Sequence, residues 1–238
     1  MTKEERKMIK KFFAYLPISH AIPRANEALA IKTVRLTPPV LDLGCGDGKF
    51  ALLAFGRKKI DVGLDKGRRE IIKARKAGVY KDVVNADAVK MPFENNSFRS
   101  VITNSALEHI EDLGQVLGEI ARILKKGGIL VLTVPTPLVS DYQFWARFIP
   151  GYAEFKRKLW RHINYFEEGE WRQQLKKAGF KTDLIKRTNS QSAIIWADIF
   201  FPLWFVGPMK PVVSFLEKRE VFGFDKKGAT LLIVAKKK

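Results

Sequence analysis

The stretch VLDLGCGDGKF, residues 40–50, constrains this chain more than any other. Val40, Leu41 and Leu43 are apolar residues that suit a short buried strand. Gly44, Gly46 and Gly48 come next at alternate positions. Phe50, Leu52, Leu53 and Phe55 are then available to the buried face of a helix. A strand, a glycine turn and a helix in that order let a ligand approach the backbone closely. They also aim the free N–H groups of the helix start at a polar or anionic group. Glycine turns are common, so a ligand-binding role requires a second matching element further along the chain.

IDVGLD, residues 60–65, reads as a second strand ending in Asp65. An acid about twenty residues past such glycines accepts hydrogen bonds from a ribose diol in dinucleotide folds. RREIIKARKAG reads as a helix closed by Gly78. A third strand around DVVNAD is expected to end at Asp87 and Ala88. A fourth, FRSVITNSAL, comes after the turn residues Glu94 to Ser97. LGQVLGEIARIL has a helical pattern and KKGGILVLTVP is a long apolar strand. This alternation predicts an α/β chain with a doubly wound, mostly parallel sheet. GATLLIVAKKK supplies a last strand beside the LIKR region.

In order and spacing, these residues resemble the core of a class I S-adenosylmethionine-dependent methyltransferase of the type 11 family, over about residues 38–136. The resemblance implies a Rossmann-like fold with a seven-stranded sheet, an antiparallel last strand, and S-adenosylmethionine as cofactor. It implies that Gly44, Cys45, Gly46, Asp47 and Gly48 line the methionine portion. Asp65, with Lys66 beside it, would hold the ribose hydroxyls. Asp87 and Ala88 would flank the adenine, and Asn104 and Ser105 would lie beneath the cofactor. LEHIEDL, residues 107–113, resembles the family segment after the fourth strand, where His109 helps hold the active-site wall.

The side-chain chemistry agrees with such a ligand. Asp42 sits inside the first strand, where an unpaired carboxylate is costly. It could pair with the cofactor's ammonium group or bond to loop amides. Asp47 could do the same or serve only as a turn residue. Cys45 is small enough to fit beside the cofactor and has no neighbouring base to make it a nucleophile.

HINYFEEGEWRQQLKKAGF resembles the family phrase leading to the sixth strand, and it begins at His162. A histidine there can lie at the mouth of the cofactor pocket and take a proton. A purely structural role for His162 stands beside that reading. The three histidines are scattered and show neither H-E-x-x-H nor another ligand spacing, so no metal is expected.

Residues 1–37 read as an N-terminal helical arm and residues 38–238 as the methyltransferase domain. Segments 137–165 and 192–223 would be substrate-side or lid insertions. In KEERKMIKKFFAYL the apolar residues recur at helical spacing among lysines, and Pro17 stops the pattern. This helix could pack on the domain, cover the substrate or face a membrane. A second helix is expected around Arg24 to Lys32. The aromatic run holding Trp196, Phe200, Phe201, Trp204 and Phe205 is interrupted by Asp198 and Pro202, with Gly207, Pro208 and Pro211 beyond. That pattern disfavours a spanning helix. Burial on the core, a lid, a homodimer surface and an interfacial anchor all remain open for it.

Lys and Arg number 43 against 25 Asp and Glu, giving a formal charge of +18. Such a balance suits an anionic partner, whether RNA or an anionic membrane surface. No KH, RRM or zinc module is present, and NSAL occupies the place of the N-P-P-Y type of tetrapeptide. The single cysteine excludes an intrachain disulfide. Residues 1–13 are charged, so no signal peptide is expected. The expected place is the cytoplasm or its membrane periphery. The expected activity is methyl transfer to a small-molecule, apolar or lipid-like acceptor. An RNA methyltransferase and a noncatalytic cofactor-binding protein are the alternatives.

Overall fold

Thr2 caps the first helix, α1 (Lys3–Tyr15). Its hydroxyl accepts the Glu5 N–H at 3.2 Å, while the Glu5 carboxylate accepts the Thr2 N–H at 2.6 Å. This reciprocal box satisfies two donors that a helix start otherwise leaves open. The computed structural model describes residues 1–57, 60–203, 212–219 and 221–238. In it the apolar stripe of α1 faces inward, with Met8, Ile9, Phe12 and Phe13 all buried. The reading of α1 as a membrane-facing element therefore gives way to packing.

α2 (Ile18–Lys32) begins six residues earlier than the sequence pattern suggests, because Pro23 lies inside it. Proline forfeits a helical hydrogen bond. Here the burial of Ala21, Ile22, Ala25 and Ala28 outweighs that loss. α1 and α2 share one apolar cluster with Leu53, Val213, Leu216 and Val221. The helices of residues 1–37 thus pack onto the domain, one of the roles the sequence left open for the first of them.

The core continues as β1 (Val40–Leu43), α3 (Lys49–Phe55), β2 (Ile60–Asp65), α4 (Arg68–Ala77) and β3 (Tyr80–Asn85). Next come β4 (Phe98–Asn104), α5 (Leu113–Ile123), β5 (Leu124–Pro135), α6 (Leu138–Tyr142), α7 (Tyr152–Leu159) and α8 (Glu168–Lys177). β6 (Phe180–Thr188), α9 (Gln191–Ile199), α10 (Val212–Glu217) and β7 (Thr230–Lys237) complete the chain. The sheet order is β3-β2-β1-β4-β5-β7-β6. The first five strands are parallel, and β7 runs antiparallel to both β5 and β6. This is the expected doubly wound, mostly parallel sheet. Strand order reverses between β1 and β4, and in such sheets ligands bind beyond the carboxyl ends of the strands at that reversal. β3 stops at Asn85, so Asp87 and Ala88 lie in the turn beyond it and not on the strand.

The run after residue 192 is not simply apolar surface. Asp198, which interrupts it, is buried and collects donors from two other segments. Its carboxylate accepts from Trp145 N–H at 3.0 Å, Tyr152 Oη–H at 2.8 Å and Lys156 Nζ at 2.7 Å. Its carbonyl accepts from Trp145 Nε1 at 3.0 Å. α9 is thereby tied to α7 and the turn before it. Trp204, Phe205, Gly207, Pro208 and Pro211 lie outside the described residues. Among the described residues, no helix is long and apolar enough to cross a membrane.

One buried amide joins α2 to the C-terminal third. Asn26 Nδ2 donates to Asn189 Oδ1 at 3.0 Å and to the Val221 carbonyl at 2.9 Å. Its Oδ1 accepts the Gly223 N–H at 2.9 Å. Asn26→Ala strands these groups away from water, which costs about 2–4 kcal/mol. The urea midpoint should fall accordingly with the slope m unchanged. A midpoint equal to that of the parent chain would show that the amide carries no net stability.

Candidate functional site

The glycine turn closes against its own sheet. Gly44 and Cys45 N–H groups donate to the Leu64 carbonyl at 2.8 and 3.0 Å. Gly44 has φ +73°, and a Cβ there would lie 2.6 Å from the Ala106 Cβ, so only glycine fits. Gly46 differs: at φ +53° its backbone borders open space, with nothing within 4 Å of a Cβ built on it. Asp65 spans the turn. Its Oδ2 accepts the Gly46 N–H at 2.9 Å and its Oδ1 the Gly67 N–H at 2.8 Å. Each carboxylate oxygen has two acceptor sites, so capacity for a ribose diol remains. A glycine backbone bordering open space, beside an acid with spare acceptors, fits S-adenosylmethionine. Gly44 to Gly48 would hold its amino-acid end and Asp65 its ribose.

The other expected cofactor residues fall into distinct settings. Asp42 is buried and accepts the Tyr80 hydroxyl at 2.6 Å. Loop amides were one expected partner for it, and among them the Gly46 N–H donates to Asp65 instead. Burial, with the nearby Asp65 charge adding to it, pushes the Asp42 carboxyl up to about 7 against the pull of the Tyr80 bond. Asp47 Oδ1 accepts the Lys49 N–H at 3.0 Å, the turn role foreseen as its alternative. Cys45 is buried, and desolvation pushes its thiol pKa upward, which suits packing and not nucleophilic attack. Lys66 is exposed. Asp87 is exposed and its Oδ1 accepts the Val89 N–H at 3.1 Å, while Ala88 packs on the core.

Asn104 and Ser105 end β4 at a partition between two spaces. Asn104 Oδ1 accepts from the Thr133 hydroxyl at 2.9 Å and its Nδ2 donates to Glu27 Oε2 at 3.0 Å. Ser105 adopts φ +46°, an uncommon left-handed conformation for a residue other than glycine. On one side of this corner Ala106 abuts Gly44. On the other, Ser105 lines a cavity of about 120 Å³ walled by α2, the 107–109 turn, α6, α7 and α9.

That cavity gathers groups the sequence leaves far apart. Arg24 Nη1 pairs with Glu27 at 2.8 Å and Lys156 with Asp198 at 2.7 Å. His20 stacks on Trp160, with ring centroids 5.4 Å apart, and His109 lies 5.4 Å from His162. Scattered along the chain, the histidines are therefore neighbours in space, and all three line the cavity. Burial first, then the charges of His109, Arg24 and Arg157, hold the His162 imidazole down to about 4. At neutral pH it is an uncharged acceptor and a weak base. Desolvation pushes the Glu108 carboxyl up to about 8. Sequence reasoning missed Arg24, Glu27, Tyr80 and Glu108. The visible signal for the first pair was two charged residues, three apart, on an otherwise Ala- and Ile-rich helix.

The raised Asp42 pKa has a definite sign. A carboxyl raised in the folded state stabilises below the unfolded value near 3.9 and loses that contribution as pH climbs through about 7. Asp42→Asn should remove that loss. Relative to the parent, its urea midpoint should therefore rise between pH 4 and pH 8. A difference independent of pH would show that Asp42 does not titrate in this range.

Residues 41–132 match the family model described as a methyltransferase domain. A demethylmenaquinone methyltransferase of Clavibacter sepedonicus is 32% identical over 142 residues, 51% of this chain and 58% of that protein. The ubiquinone/menaquinone biosynthesis C-methyltransferase UbiE of Desulfotalea psychrophila is 36% identical over 118 residues, 46% of this chain and 48% of that one. The chain spans about half the length of these curated relatives. A crystal structure of a SAM-dependent methyltransferase from Thermotoga maritima, described as a possible histamine N-methyltransferase, superposes with a TM-score of 0.66 at 22% identity. It covers 92% of this chain and 91% of that one, a likeness of fold. The family match covers residues 41–132, the strand-and-glycine core, and makes that core similar to a methyltransferase domain.

Proposed function

We propose that the chain is an S-adenosylmethionine-dependent methyltransferase acting on a small organic acceptor whose reacting end enters the cavity beside Ser105. One observation carries this reading: the Gly44–Gly48 turn and the cavity meet at the 104–106 corner. When bound, the cofactor supplies a methyl group on a sulfonium, an electrophile that needs alignment more than activation. The chain's residues do the aligning. Asp65 fixes the glycine turn, Asn104 is clamped between Thr133 and Glu27, and Trp160 and Tyr165 give the cavity apolar ring surface. A cavity of about 120 Å³ suits one aromatic ring, since an apolar cavity of roughly 150 Å³ holds benzene. Relatives that act on quinone precursors by name are consistent with such a ring. His162 lines this cavity and is a polar group that an acceptor would meet there.

Titration calorimetry tests the cofactor. S-adenosylmethionine should bind and NAD should not, and Asp65→Ala should weaken binding about ten- to a hundredfold, the equivalent of roughly 1.5–3 kcal/mol. Binding of NAD alone would sink the assignment. An unchanged dissociation constant in folded D65A would remove Asp65 from the site.

A contact with an anionic membrane surface is a second reading, carried by a patch the sequence did not single out. Phe155 and Leu159 are exposed on the outer side of α7, while Lys156 is turned inward. Phe148, Ile149 and Ile163 are exposed nearby in sequence, among Arg147, Lys158 and Arg161. Apolar side chains with interspersed bases, on a chain of charge +18, match an anionic bilayer surface. Exposure of these side chains favours a contact through α7 over one through α1, whose apolar face is buried in the core. The parent chain should co-sediment with phosphatidylglycerol vesicles and not with phosphatidylcholine ones. Phe155→Ser with Leu159→Ser should lower that binding at least fivefold. Equal binding by the folded double variant would overturn the reading.

A further inference from the structure

Glu108, His109 and His162 stand together with no role in holding the cofactor. Each offers one ligand atom, and these atoms lie within 4.8 Å of one another. We propose that the three form a binding site for a divalent transition-metal ion, with open coordination positions facing the cavity. The proposal rests on the methyltransferase reading only for what the ion would then meet.

The backbone builds the site before any ion arrives. Ile163 and Asn164 N–H groups both donate to the Glu108 carbonyl, at 2.7 and 3.0 Å. Asn164 Nδ2 donates to the Leu107 and Ile110 carbonyls at 2.8 and 2.6 Å. The turn carrying Glu108 and His109 is therefore locked to the segment carrying His162. The His109 tautomer is set as well. Its Nδ1 lies 3.2 Å from the Arg161 carbonyl, which can only accept, so Nδ1 carries the proton and Nε2 keeps its lone pair. Metal-binding histidines are commonly oriented by such a bond on the other ring nitrogen. The free Nε2 is 3.9 Å from Glu108 Oε1.

Glu108 supplies the independent sign of a ligand. It is 1% exposed, and its Oε2 is buried without a hydrogen-bond partner. Such a group is expensive unless something meets it. The neighbouring carboxylates are already matched, Glu27 by Arg24 and Asp198 by Lys156. Arg24 and Arg157 also border the cavity, and their charge opposes a cation there. The three ligands must offset that repulsion. Two imidazoles and one carboxylate suit zinc, cobalt, manganese or iron in the divalent state and leave positions open. Bonds of about 2.0–2.2 Å would draw the ligand atoms to roughly 3–3.5 Å apart, a side-chain movement of about 1 Å. An acceptor that presents a hydroxyl or carbonyl oxygen could then complete the coordination.

The test uses the untagged full chain, stripped with a chelator and titrated with Co²⁺. Binding is followed by visible absorption, with Zn²⁺ competing for the same place. One ion per chain is expected, with affinity lowered at least tenfold in Glu108→Gln, His109→Asn and His162→Ala. Circular dichroism and S-adenosylmethionine titration check each variant, and any variant that does not fold is set aside in favour of the other two. Binding far below one ion per chain, or equal affinity in the folded variants, would overturn the site and leave Glu108 as a buried neutral acid. Failure of S-adenosylmethionine to bind a chain that still takes one ion would overturn the methyltransferase reading alone.

Discussion

Two adjacent polar residues on α2 hold the molecule to its ligand-facing shape. Asn26 reaches the C-terminal segments through Asn189, Val221 and Gly223. Glu27 reaches the end of β4 through Asn104. Buried amides and carboxylates are tolerated only when their bonds are made, so each is satisfied in one arrangement of the chain and costly in others. The apolar packing of α1 and α2 is less particular, because oily surface has no direction. Specificity of docking therefore comes from the two polar side chains, and the free energy of docking from the surface around them.

The glycine turn shows the same division. Apolar strands bring it to the carboxyl ends of the sheet, and Asp65 ties it, through the Gly46 amide, to the turn after β2, whose Gly67 amide it also holds. Asp42 lies directly below, shielded from water and bonded to Tyr80. The Asp65 charge adds to the cost of ionising Asp42 at this distance. A bound ligand carrying positive charge would relieve that cost.

The sheet was legible because its strands are short apolar runs with punctuation between them, and the antiparallel last strand came with the resemblance. Pro23 concealed the start of α2, since a local rule about proline was overridden by tertiary burial of the alanines around it. Asp198 read as an interruption of an apolar run. Its partners Tyr152 and Lys156 are distant in sequence, and no local pattern announces them. His109 and His162 carry no ligand spacing either. They meet only because Asn164 and Ile163 bond to the backbone of the Leu107–Ile110 turn. Tyr80 precedes the DVVNAD stretch read as the third strand, and its hydroxyl's destination depends on the register of β3 against β2. Local chemistry was readable, and pairings made by topology were not.

The Asp198 junction has a consequence for how large molecules would get in. Three donors share one buried carboxylate, and all of them come from residues 145–156. Loosening any one leaves the others in place, so the roof over the cavity resists gradual fraying. A guest larger than one ring must therefore extend outward from the opening or displace the roof as a block, exposing a buried ion pair at once. Size discrimination would then be enforced by electrostatic toll at the doorway, with the contour of the chamber itself playing the smaller part.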